Sequence, residues 1–285
     1  MSPIEFYKIT EKTLNELAKE KGIVDLRPYY ELTDYNHKSS ISKYNGIPQV
    51  FAQMAFHAQN ATMISNIVSF EKNRDFLEKV LCDFEPKAFL KRYKNSVENL
   101  VETFRFNEKT GEGLKWNSSK SKEKNKDAIA KRYANTLFDC ANYLSKFKDK
   151  KDVLNDLSKK YIAGDFERLI KYFRSKIKHG FSVALTCDFL KEFDRTFDLP
   201  KPDIHIKDVL CCYKGFEEDY YSGQKKEYEC IRDMIELTKS INDNLPNEKM
   251  ITVYQLDRMI WLICSGRFFL HNTEDSKSKY LAKLK

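Results

Sequence analysis

The chain has 285 residues, 41% of them hydrophobic, and its 50 Lys and Arg outnumber 42 Asp and Glu for a formal net charge of +8. It is too apolar for a disordered chain, long enough for one large domain or two modest ones, and basic enough to lean weakly toward an anionic partner. No apolar run reaches the ~18 residues of a membrane helix. The opening MSPIEFYKIT lacks the basic-then-apolar layout of a signal peptide, so a soluble, intracellular protein without membrane contact is expected.

In chain order, Phe76, Leu77, Val80, Leu81 and Phe84 fall on one helical face. Asn107–Gly113 and the basic stretch Lys115–Lys126 read as surface loops. Ile129, Tyr133, Leu137, Cys140, Leu144 and Phe147 form a longer apolar stripe, and Phe166, Leu169, Ile170, Phe173 and Ile177 a third. That third helix runs into a tight turn at His179-Gly180, and Ser182 is placed to cap a helix ending around Phe193–Arg195. Glycine in such a turn lets backbone approach a ligand, and the free amides at the second helix's start suit a phosphate. Asp198–Pro202 is a loop whose two prolines fix an extended approach to Asp203, at the N-cap of the next helix. Tyr220–Lys226 and Asn242–Lys249 are further loops, and Thr252 with Gln255 has capping-box spacing before Tyr254, Met259, Ile260 and Ile263. Alternating strand patterns are scarce, and an all-α fold is expected.

The seven cysteines, at 82, 140, 187, 211, 212, 230 and 264, are odd in number and lack paired CxxC spacing. That argues against a disulfide framework, a structural zinc and an iron–sulfur cluster. Cys211-Cys212 reads as core packing.

A hairpin over Lys178–Leu190, then a proline-flanked Asp in Leu199–Leu210, resembles the helix-hairpin-helix-Gly/Pro-Asp superfamily of base-excision DNA glycosylases. Phe56–Thr62 is similar to that family's S-x-Q-x-T helix start. The resemblance spans about Gln49–Leu210, with an extension to Phe268 through Leu256–Gly266, a stretch that carries no assigned chemical role. It implies a two-lobed helical glycosylase fold. The expected layout is a central lobe over about 49–157 and a hairpin-and-Asp segment over about 158–215, with terminal segments 1–48 and 216–285 packing on the second lobe.

By this resemblance Asp203 is the catalytic carboxylate. Lys178, His179, Gly180, Phe181 and Ser182 grip the DNA backbone, with His205 and Lys207 near the DNA face. Gln59 fills the gap left by a flipped base, and Phe56, Asn60 and Trp116 join it as base-pocket candidates. The bland alternatives are an ordinary helix turn at His179-Gly180, a plain N-cap at Asp203, a partly buried polar residue at Gln59, a packing anchor at Trp116 and a solvated loop at Lys115–Lys126.

Lys178 stands where the family has the first hairpin glycine, and Ser182 where bifunctional members carry a lysine nucleophile. A Schiff-base lyase step is therefore not expected. The expected partner is double-stranded DNA with a damaged or modified base, met by a monomer in the cytoplasm at the nucleoid. No metal and no cofactor are expected beyond a monovalent cation at the hairpin. Repair of lesions and defence against modified phage DNA both fit, as does a non-catalytic DNA-binding module. An all-α interaction protein is the third reading.

Overall fold

The computed structural model describes residues 1–24, 26, 44–61, 70–105, 107, 110–115, 123–268, 271–272 and 275–285. They form helices α1 (Pro3–Glu20), α2 (Gly46–Gln59), α3 (Phe70–Val80), α4 (Pro86–Tyr93), α5 (Val97–Phe104), α6 (Glu123–Leu144), α7 (Lys150–Ser158), α8 (Phe166–Lys176), α9 (Val183–Phe193), α10 (Ile204–Lys214), α11 (Gln224–Asn242), α12 (Val253–Cys264) and α13 (Ser276–Leu284). Apart from a hairpin of two-residue strands, β1 (Arg267–Phe268) and β2 (His271–Asn272), and an isolated antiparallel bridge between Asn107 and Glu112, the described secondary structure is helical, as expected. No described helix is long and apolar enough to cross a membrane.

The chain divides into two compact units, Asn36–Phe189 and Met1–Tyr35 with Leu190–Lys285. The division falls inside α9, so the expected 158–215 segment spans both units, with the hairpin in the first and Asp203 in the second.

In the unit Asn36–Phe189, α6 packs against α2, α4, α5 and α8. Of its predicted stripe, Ile129, Tyr133, Leu137, Cys140 and Leu144 are buried, with Ala130, Ala134 and Ala141 beside them, while Phe147 lies beyond the end of α6 and is half-buried. Small residues between large ones let neighbouring helices close in, and buried Tyr133 satisfies its hydroxyl by donating to Ala55 O at 3.0 Å. The predicted α8 stripe is likewise buried at Leu169, Ile170, Phe173 and Ile177.

Two expectations shift. α3 stops at Val80, and Phe84 reaches the core from a left-handed turn in which Cys82, Asp83 and Phe84 have φ of 55, 56 and 58°. Pro86 opens α4, which pushes Glu85 into extended backbone and bars a continuous helix. The Phe84 ring then packs edge-on to Tyr44 and Phe51, at 5.0 and 6.3 Å between centroids, and aromatic pairs of this kind contribute about 0.5–1.5 kcal/mol each. The second shift is at the basic stretch, where Glu123–Lys126 belongs to α6 rather than to a loop; residues 116–122 lie outside the described residues.

In the other unit α12 packs against α1, α10, α11 and α13. Phe6, Leu14, Ile206, Leu210, Met234, Leu256, Ile260 and Ile263 share its core, each large apolar side chain stabilising by about 1.5–3 kcal/mol. α1 starts on a Ser2–Glu5 capping box, and α12 on the predicted Thr252–Gln255 box. Thr10 and Tyr280 share a buried hydroxyl hydrogen bond of 2.6 Å, and Ser276 Oγ donates to Ile263 O, also at 2.6 Å.

Candidate functional site

The connection from α8 to α9 is a tight turn, as the glycine implied. Ile177 ends the α8 stripe and is buried, Lys178 and His179 are exposed, and Gly180 turns with φ of 76°. Phe181 drops back into the core against Phe173 and Phe189, with centroids at 5.4 and 6.1 Å. Ser182 caps α9 as predicted, its Oγ accepting the Leu185 N–H at 3.2 Å.

Gly180 is needed for packing as well as for its φ. A methyl there would lie 2.2 Å from Thr136 Oγ1, on α6. The turn is also held by an acid: Asp139 Oδ2 accepts the His179 N–H at 2.9 Å and lies 2.8 Å from the ring Nδ1. The His179 amide is thus committed within the protein. The elements left to meet an anion are exposed Lys178, the backbone at Gly180 and the α9 start behind Ser182.

Three carbonyls of the hairpin are also in use. His179 O accepts Phe181 N–H, Phe181 O accepts Arg174 Nε–H at 3.1 Å, and Ser182 O accepts both Thr186 N–H and Thr186 Oγ1–H.

In the other unit, the loop between α9 and α10 delivers Asp203. Its carboxylate caps α10, as predicted: Oδ1 accepts the N–H groups of His205 at 2.9 Å and Ile206 at 3.3 Å. Asp203 is half-buried, and its Oδ2 takes no hydrogen bond among the described residues. The Asp203 N–H donates to Lys201 O at 2.7 Å, a tight bend centred on Pro202.

Two acids invisible in the motif hold this loop. Asp198 caps α12, accepting the N–H groups of Val253 and Tyr254 at 3.0 and 2.8 Å. Asp257, only 3% exposed and one turn into α12, accepts Lys191 Nζ–H at 2.6 Å and the Lys201 N–H at 2.9 Å. Burial pushes the Asp257 carboxyl above the usual range; the Lys191 ammonium pulls it back, and the nearby Asp203 charge adds to the rise. Asp257 lies in the Leu256–Gly266 stretch that had no assigned role, and the only sequence signal for it was an acid among apolar residues on a helix.

Beside Asp203, His205 has its Nδ1 buried with no hydrogen-bond partner among the described residues, and burial lowers the ring's pKa from its ordinary 6.5. Lys207 is taken up in an ion pair with Glu227 at 3.1 Å.

Of the base-pocket candidates, Phe56 is a core residue, edge-on to Phe70 at 5.8 Å. Gln59 is 8% exposed and its Oε1 accepts the Phe70 N–H at the start of α3, so the side chain is committed to the fold. Asn60 is exposed at the C-cap of α2. Trp116 lies outside the described residues. All seven cysteines are free thiols, and Cys211 is buried, as read, while Cys212 is half-buried. No protein-family model, no curated protein and no solved structure matches this chain.

Proposed function

We propose that the chain is a monofunctional DNA glycosylase of two-lobed helical architecture, acting on double-stranded DNA that holds a damaged or modified base. The observation that carries this reading is the Asp203 carboxylate, anchored on the α10 amides through Oδ1 while Oδ2 takes no hydrogen bond among the described residues. A base must leave the stack to be cut, and the glycosidic bond then breaks through an oxocarbenium-like state. A carboxylate held through one oxygen by backbone amides keeps a fixed direction, so its other oxygen is suited to stabilise that cation and orient a water. Exposed Lys178 and the α9 start capped by Ser182 support a sequence-independent grip on a phosphate. Ser182 supplies a hydroxyl, not an amine, so the product is an abasic site without strand cleavage.

The test is a panel of duplex oligonucleotides carrying oxidised, alkylated and naturally modified bases, treated with alkali after incubation. Alkali-dependent cleavage of one of them by the wild type, lost in Asp203→Asn, is the expected result; strand breaks without alkali contradict the monofunctional assignment. A second reading, a non-catalytic DNA-binding module, is favoured by the capping bonds of Asp203, which a helix start uses without any chemistry. It predicts salt-sensitive DNA binding and no base release from any oligonucleotide.

A further inference from the structure

The two prolines around Lys201 leave its N–H as a donor that neither the loop nor α10 consumes, and that donor points at a carboxylate 56 residues away in sequence. The acceptor, Asp257, is charge-matched by Lys191, which is itself only 7% exposed. A buried ion pair is a poor source of stability, because desolvating both charges offsets their attraction. What it does supply is a fixed acceptor of fixed direction.

The residue it fixes, Lys201, is the one whose own carbonyl, in the next peptide unit, accepts the Asp203 N–H at 2.7 Å. Asp198 adds a second tie to the same helix through the Val253 and Tyr254 amides. The loop is thus clipped to α12 at Asp198 and at Lys201, on the approach to Asp203. The Tyr254 ring nearby is also engaged, with the Arg195 guanidinium 4.4 Å and the Lys191 ammonium 5.4 Å from its centroid.

We propose that Asp257, held by Lys191, is a positioning residue: its hydrogen bond to the Lys201 amide sets the height and direction at which Asp203 is presented. The catalytic consequence rests on the glycosylase reading; the clip itself does not. Removing Asp257 alone strands a buried ammonium, so single variants confuse positioning with folding. The informative comparison is made in a Lys191→Met background, where Asp257→Asn keeps a neutral acceptor for the Lys201 amide and Asp257→Leu does not.

Both double variants are expected to fold, the Leu variant melting a few degrees lower for its unpaired amide. Exchange of the Lys201 amide, read by NMR on lysine-labelled protein, should be about 5- to 150-fold faster in the Leu variant, the equivalent of one lost buried hydrogen bond. The kcat for base release should fall by a similar factor in the Leu variant only, with KM little changed. Equal exchange in the two variants overturns the clip. Unequal exchange with equal kcat overturns the positioning role. If the wild type releases no base, the catalytic consequence fails together with the glycosylase reading, while the exchange comparison still decides whether the clip exists.

Discussion

At Asp203 one side chain carries a capping task and, in the proposed reaction, a chemical one, and the two separate by substitution. Asparagine is as good an N-cap as aspartate, and alanine is not. Asp203→Ala should therefore lower unfolding free energy by about 0.5–2 kcal/mol in urea titrations, while Asp203→Asn leaves the midpoint nearly unchanged. Equal losses in both would show that the ionised carboxylate, not the cap, holds the start of α10. His205 next to it makes a pH prediction. Burial lowers the folded ring's pKa, so below its ordinary 6.5 the unfolded chain binds the proton more readily than the fold does. The associated stability is present above that value and is lost as pH falls through the folded pKa. Melting temperature should drop between about pH 7 and 5, and the drop should be smaller in His205→Gln; an identical decline would assign it to other groups.

At the scale of elements, the α8–α9 hairpin depends on Gly180 for two reasons, its φ of 76° and the nearness of Thr136. Gly180→Ala should destabilise by about 1–3 kcal/mol. Part of that loss should return in the Thr136→Ala background, which opens space but does not relieve the backbone, and denaturant melts of the two variants measure both parts. What was legible from sequence here was local. Ser182 and Asp203 as caps, the Thr252–Gln255 box and the apolar stripes of α6 and α8 each depend on residues within a turn or two, and the structure bears them out. What was not legible depends on distant partners. Asp139 claims His179 across 40 residues, Gln59 serves Phe70 eleven residues on, and Lys191 meets Asp257 across 66. The end of α3 at Val80 belongs to the same class, since the left-handed turn that follows draws Phe84 onto Tyr44 and Phe51.

For the whole molecule, the net charge of +8 bears on association rather than on fold. If the partner is duplex DNA, log K should fall linearly with log salt at about 0.9 per phosphate neutralised, and Lys178→Ala should lower that slope by roughly one without changing base preference. Fluorescence anisotropy at about 50 and 200 mM salt suffices to see it; a flat response would favour an all-α interaction protein. The helical class was readable from periodicity along the chain, but the place where it divides into two compact units was not, because the division passes through α9, a helix with no break in its pattern. The most direct test of the central claim is single-turnover base release from the oligonucleotide panel by wild type and Asp203→Asn side by side. The account predicts an alkali-labile abasic site with at least one modified base, formed about 10²–10⁴-fold more slowly by Asp203→Asn at unchanged DNA affinity. Release at equal rates by both proteins, or by neither on any base, would contradict it.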